Sequence, residues 1–183
     1  MNRDDALALL YEHTKTDSLR KHALGVEAAM RAYAVRFEED PDRWGVVGLL
    51  HDFDYEATPL PQDHPMRGAA ILTEKGYPED IIYAIKSHAE YLGLERKTLM
   101  DKGLFAVDEL VGFITAVALV RPSRSVRDVT VESVKKKMKT PAFAKAISRE
   151  DIRRGAESLG IGLDDHIATV IQAMQGAASE LGL

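Results

Sequence analysis

The chain has no cysteine. Disulfide scaffolds, thiolate zinc sites and thiol catalysis are therefore excluded together, and the composition fits a reducing, cytoplasmic setting. A long uninterrupted apolar run is also missing. The longest, Leu104 to Val120, carries Asp108 and Glu109 in its first third, whereas a membrane span needs about 20 predominantly apolar residues. A buried core helix is expected there, with no membrane partner. The opening MNRDDALALLYEH lacks a basic-then-apolar leader pattern. Nor is positive charge in excess: 24 Lys and Arg against 29 Asp and Glu leave a net charge of −5, which disfavours general nucleic-acid binding. Internal repeats, low-complexity tracts and a dividing linker are absent. A single domain over residues 1–183 is expected, of a size that buries roughly 70% of the surface of its unfolded chain.

Helical periodicity dominates what is there, and no alternating strand pattern stands out. The spacing predicts helices over 4–12, 17–37 with Asp17 as N-cap, and 41–52 behind the first-turn Pro41. Further helices are expected over 64–75, closed by Gly76, from Pro78 to His88, and over 99–120, ended by Arg121-Pro122. Shorter ones follow at 131–138, 141–146 and 149–159, then a last long one at 164–181. Residues 53–63, with two prolines, read as an irregular loop. The fold class is all-α, a helical bundle.

The six histidines are the first hint of chemistry. His22 falls three residues after Leu19 and four before Val26, on the inward face of its helix. His51 follows Val47 by four, His88 follows Ala84 by four, and Asp108 shares a stripe with Leu104, Phe105 and Val111. Each alone has a plain explanation, since an inward histidine can bond to backbone and Asp108 can pair with a lysine or cap a neighbouring helix. An unpaired buried carboxylate, however, costs several kcal/mol or takes up a proton. Four helices with inward His or Asp residues suggest one shared partner, and a divalent cation is the most economical. His13 and His166 read as surface or packing residues.

The order His22, His51-Asp52, Asp108 resembles the H…HD…D signature of the HD superfamily of metal-dependent phosphohydrolases. GLLHDFDYE is similar to the HDIG-type segment, HPMRGAAIL to the HPxxGAxIL helix of HDIG and HD-GYP proteins, and IKSHAE to their H-[HA]-E segment. AVDELVGFITAVALVRPS resembles the last ligand helix of HD hydrolases of unassigned substrate. The likeness spans about residues 16–155 of the sequence, with the C-terminal helices packing on that core. It implies an HD-type bundle with His22, His51, Asp52 and Asp108 as metal ligands. His64 and His88 would hold a second ion bridged by Asp52, or, beside a single ion, would touch substrate or act as acid. Two departures stand out: Ala89 replaces one of a usual His pair, and HDFDY puts Asp54 and Tyr55 where HDIGK has glycine and lysine.

With imidazoles and carboxylates as donors, the cofactor is one or two ions of Mn, Fe, Co, Ni, Zn or Mg. The expected reaction is hydrolysis of a small phosphorylated substrate, a phosphomonoester or a nucleotide, by metal-activated water. Arg67, on the face of His64, and Arg121 and Arg124 in the loop RPSRSVR are the expected phosphate-binding groups. A di-iron oxygenase and a non-catalytic nucleotide sensor stay open as alternatives, and homo-oligomers are compatible with the sequence.

Overall fold

The computed structural model describes residues 2–58, 60 and 62–183. Among the described residues there are helices and turns and no strand. Helix α1 spans Arg3–His13, α2 Asp17–Arg36, α3 Pro41–Leu50, α4 Met66–Glu74, α5 Glu79–His88 and α6 Leu99–Leu119. Then come α7 at Val131–Met138, α8 at Arg149–Ser158, α9 at Leu163–Gly176 and α10 at Ala178–Leu181.

Local chemistry sets these boundaries. Asn2 with Asp5, Thr98 with Asp101, and Thr130 with Ser133 form reciprocal capping boxes at α1, α6 and α7. Asp40 accepts from the backbone N–H groups of Asp42 and Arg43 at the start of α3. The apolar α6 is the centre of the bundle: α2, α5, α8 and α9 pack around it, and α2 packs along α3 on its other side. One cluster of buried side chains runs from Ala6 to Leu181. Among the described residues, no helix is long and apolar enough to cross a membrane.

The contact between α2 and α3 positions the site, and Gly48 makes it close. A Cβ at residue 48 would lie 2.8 Å from the Glu27 backbone. Gly48→Ala is therefore expected to destabilise the protein by about 1–3 kcal/mol, read as a lower denaturant midpoint. An unchanged midpoint would mean that α3 can move off α2 at no cost.

The observed elements differ from those expected in several places, and α3 stops at Leu50, leaving Asp52 in the turn that follows. Asp17 is the first helical residue and Thr16 the N-cap. Helix α4 starts at Met66, so His64 sits in the preceding turns. Residues 141–146 form turns and not a helix: Ala144 has φ +42°, which breaks helical geometry, and the Arg149 guanidinium donates to the carbonyls of Phe143, Ala144 and Ile147 around that turn. The last helix breaks at Ala177 into α9 and α10. The connection after α5 contains a short 3₁₀ turn at Glu90–Leu92.

His166, on α9, is a packing residue. It is fully buried, its Nε2–H donates to the Ala106 carbonyl at 2.9 Å, and its Nδ1 lies 2.6 Å from the Tyr33 hydroxyl. It thereby joins α9 to α6 and α2 as a neutral ring. Burial lowers it from its ordinary 6.5 to about 4. As pH falls the unfolded chain binds this proton first, so the associated stability is complete above pH 6.5 and is lost as pH drops through 4. The full span is roughly 3 kcal/mol. Denaturant unfolding of the chain and of His166→Asn should show their stability gap narrowing from pH 7.5 to pH 4.5; a constant gap would contradict the assignment.

Candidate metal centre

Six side chains converge where α2, α3, α5 and α6 meet. His22 comes from α2 and Asp108 from the middle of α6; His88 is the last residue of α5, and His51 is the residue that ends α3. Asp52 follows directly, and His64 lies in the turn segment before α4. Their donor atoms form two triads, His22 with His51 and Asp108, and Asp52 with His64 and His88. Within each triad the ligand atoms lie within 4.8 Å of one another.

The two triads are contiguous. His22 Nε2 is 2.9 Å and His51 Nε2 3.5 Å from Asp108 Oδ1. Asp52 faces both sets: Oδ2 is 3.5 Å from His51 Nε2, while Oδ1 is 3.2 Å from His64 Nε2 and 3.3 Å from His88 Nε2. The imidazoles also touch edge to face, with centroids 5.2 Å apart for His22 and His51, and 5.4 Å for His51 and His88.

The far side of three rings fixes which nitrogen points inward. His51 Nδ1 donates to the Gly48 carbonyl at 2.8 Å, and His88 Nδ1 to that of Ile85. His64 Nδ1 donates to Asp54 Oδ1 at 2.8 Å. Each Nε2 lone pair is thus presented to the centre, as in metal-binding histidines. His51 Nε2 is buried and has no hydrogen-bond partner, an arrangement that costs about 1–3 kcal/mol unless something answers it. A divalent cation answers it, and the imidazole and carboxylate donors suit Mn, Fe, Co, Ni, Zn or Mg without selecting among them. The residues present fit a metal.

Electrostatics point the same way. Burial opposes ionisation of Asp52 and Asp108, but the neighbouring imidazoles override it and hold both carboxyls well below the ordinary range. Burial likewise pulls His51, His64 and His88 down, and the carboxylates override that; His64, facing Asp52 and Asp54, is pushed up to about 9. Imidazoles and carboxylates face one another across the centre, and a divalent ion would compete with protons for them.

The HD domain family model matches residues 19–112, a segment that holds all six of these side chains. The chain belongs to the HD superfamily of metal-dependent phosphohydrolases. No curated protein and no solved structure matches it.

The HD centre opens into a cavity of about 500 Å³. Besides five of the six convergent residues, its walls include Tyr55, Tyr91, Phe105, Glu109, Ile147 and Asp151. Glu109 is pushed up to about 7 by burial and by the Asp108 charge beside it. Arg67, Arg121 and Arg124, expected to bind phosphate, are not among the lining residues. Arg67 is exposed on the first turn of α4. Arg121 and Arg124 follow the far end of α6, roughly 16 Å beyond Asp108 at the helical rise. Spacing puts these arginines on plausible faces but does not give the distance along a helix between its ligand and its end loop.

Other contributors are not evident from the sequence. Asp54, 2% exposed, holds the His64 ring; its only signal is an acidic residue where the HDIG consensus has glycine. Tyr91, whose hydroxyl donates to the His64 carbonyl at 2.7 Å, lies in a connection with no periodicity to read. Glu109 is visible only as a neighbour of Asp108.

Proposed function

We propose that this protein hydrolyses a small phosphomonoester with two divalent ions, one held by His22, His51 and Asp108 and the other by Asp52, His64 and His88. The observation that carries this reading is the placement of Asp52, with one carboxylate oxygen towards each triad. When bound, such ions supply Lewis acidity to a phosphoryl oxygen and bring the pKa of water towards about 7. Asp52 links the two triads and keeps them in one register. His64 and His88 act as ligands in this reading and not as the acid, because their Nε2 atoms share a single Asp52 oxygen.

The cavity wall narrows the substrate. No lysine or arginine lines it among the described residues. Arg154 is ion-paired with the lining residues Glu90 and Asp151, and Arg96 lies over the ring of the lining Phe105 and donates to the Ser87 carbonyl. Extra phosphates on a ligand would meet the lining carboxylates of Glu90, Glu109 and Asp151 before any cation on the wall itself. Tyr55, Phe105 and Ile147 instead offer apolar surface that excludes water from an organic leaving group. A monophosphate ester suits this wall, and a nucleoside triphosphate does not.

Phosphate release from a panel of monoesters and nucleotides, with the protein loaded in turn with each candidate metal, tests the proposal. Monoesters are expected to turn over with kcat/KM at least about tenfold above nucleoside triphosphates, the equivalent of roughly 1.4 kcal/mol. Inertness towards every phosphoester would contradict it, and an optical change on exposing the iron-loaded protein to oxygen would move the chemistry to an oxygenase.

A further inference from the structure

His64 differs from the other convergent histidines in how it is held. His22 lies within a helix, and His51 and His88 sit at helix ends, where a carbonyl three residues back receives Nδ1–H. His64 belongs to turns, and its ring has no such carbonyl. Asp54 stands in for it, buried, with both oxygens used: Oδ1 accepts from His64 Nδ1 at 2.8 Å and Oδ2 from the Gly68 backbone N–H at 2.7 Å. That second bond satisfies one of the free N–H groups in the first turn of α4. A Cβ at residue 68 would come within 2.9 Å of the Asp54 carboxyl carbon, so only glycine lets the carboxylate sit there. Asp54 is anchored in turn, since its carbonyl accepts from the Thr58 hydroxyl at 2.8 Å.

We infer that Asp54 is a positioning residue that sets the affinity of the ion assigned to Asp52, His64 and His88, and leaves the other ion unaffected. The inference rests on the two-ion reading above. Asp54 touches none of the inward-facing nitrogens; it acts through His64, fixing the tautomer and the ring plane and making the ring a stronger donor. A carboxylate behind a metal-binding imidazole has this effect, and its loss typically weakens metal binding about 10–100-fold. The charge is also matched to its place, because His51 and His88, bonded to neutral carbonyls, receive no such reinforcement. The two ions should therefore differ in their dependence on this one side chain.

The test is calorimetric titration of the metal-stripped full chain with Mn(II), compared with Asp54→Asn and with the electron paramagnetic resonance of each loaded protein. The original chain is expected to take up two ions and to show an exchange-coupled pair. Asp54→Asn should keep the first ion at unchanged affinity, bind the second about 10–100-fold more weakly, and give a spectrum dominated by isolated Mn(II). Retention of the first ion reports that the variant has folded. In a His64→Ala background, adding Asp54→Asn should change nothing further, because the residue acts only through His64. Two ions bound by Asp54→Asn as tightly as by the original chain would overturn the inference, as would equal weakening of both. A single ion in the original chain would instead overturn the two-ion reading itself.

Discussion

Asp52→Ala is expected to lower phosphoester turnover by about 1,000-fold or more, equivalent to roughly 4 kcal/mol of transition-state stabilisation. No other substitution in the centre should do as much, because Asp52 alone faces both triads, with Oδ1 towards His64 and His88 and Oδ2 towards His51. His88→Ala or Asp108→Ala removes a ligand from one ion; Asp52→Ala removes one from the second and the link to the first. The helices should remain, since His51 and His88 are held by backbone carbonyls and the core from Ala6 to Leu181 is untouched. Elemental analysis and circular dichroism on the same sample check both halves: metal lost, helix kept. Full metal content in this variant would contradict the ligand assignment.

The second large effect is on stability. Binding a ligand only in the folded state stabilises by about 4 kcal/mol at a thousandfold excess over its Kd. The convergent residues come from segments separated by up to 86 positions, so the unfolded chain offers no comparable site. For a chain of this length that energy corresponds to a rise in Tm of about 10 °C. Thermal unfolding with saturating Mn(II), and again after chelation, should show the rise and its reversal. A Tm indifferent to metal would mean that the orphaned His51 Nε2 and its neighbours hold no ion in the folded protein. The effect should also fade in acid, because the ion competes with protons for rings and carboxylates that pair tightly without it.

Much of this arrangement is legible in the amino-acid sequence. Inward-facing polar residues at helical spacing pick out His22, His51, His88 and Asp108, and the HD resemblance adds Asp52 and His64. Periodicity locates α2, α3, α5, α6 and α8 within a residue or two of their observed bounds, because long amphipathic helices repeat their signal over several turns. The failures share a different cause. Residues 141–146 have helical composition, but the backbone turns at Ala144, φ +42°, and Arg149 braces that turn from outside the segment, a contact that no local pattern encodes. Arg121 and Arg124 look suited to phosphate, yet the length of α6 carries them away from Asp108. Asp54 and Tyr91 act on His64 from 10 and 27 residues away, through turns that have no period. What repeats along a helix can be read from sequence; what depends on how turns fold back cannot.

Anomalous diffraction from crystals grown with Mn(II) addresses the central claim most directly. Two peaks are predicted, about 3.5–4 Å apart as in two-metal hydrolytic sites. One should lie against His22, His51 and Asp108, the other against His64 and His88, with Asp52 reaching both. Metal bound anywhere else, with these six side chains left paired to one another, would contradict it.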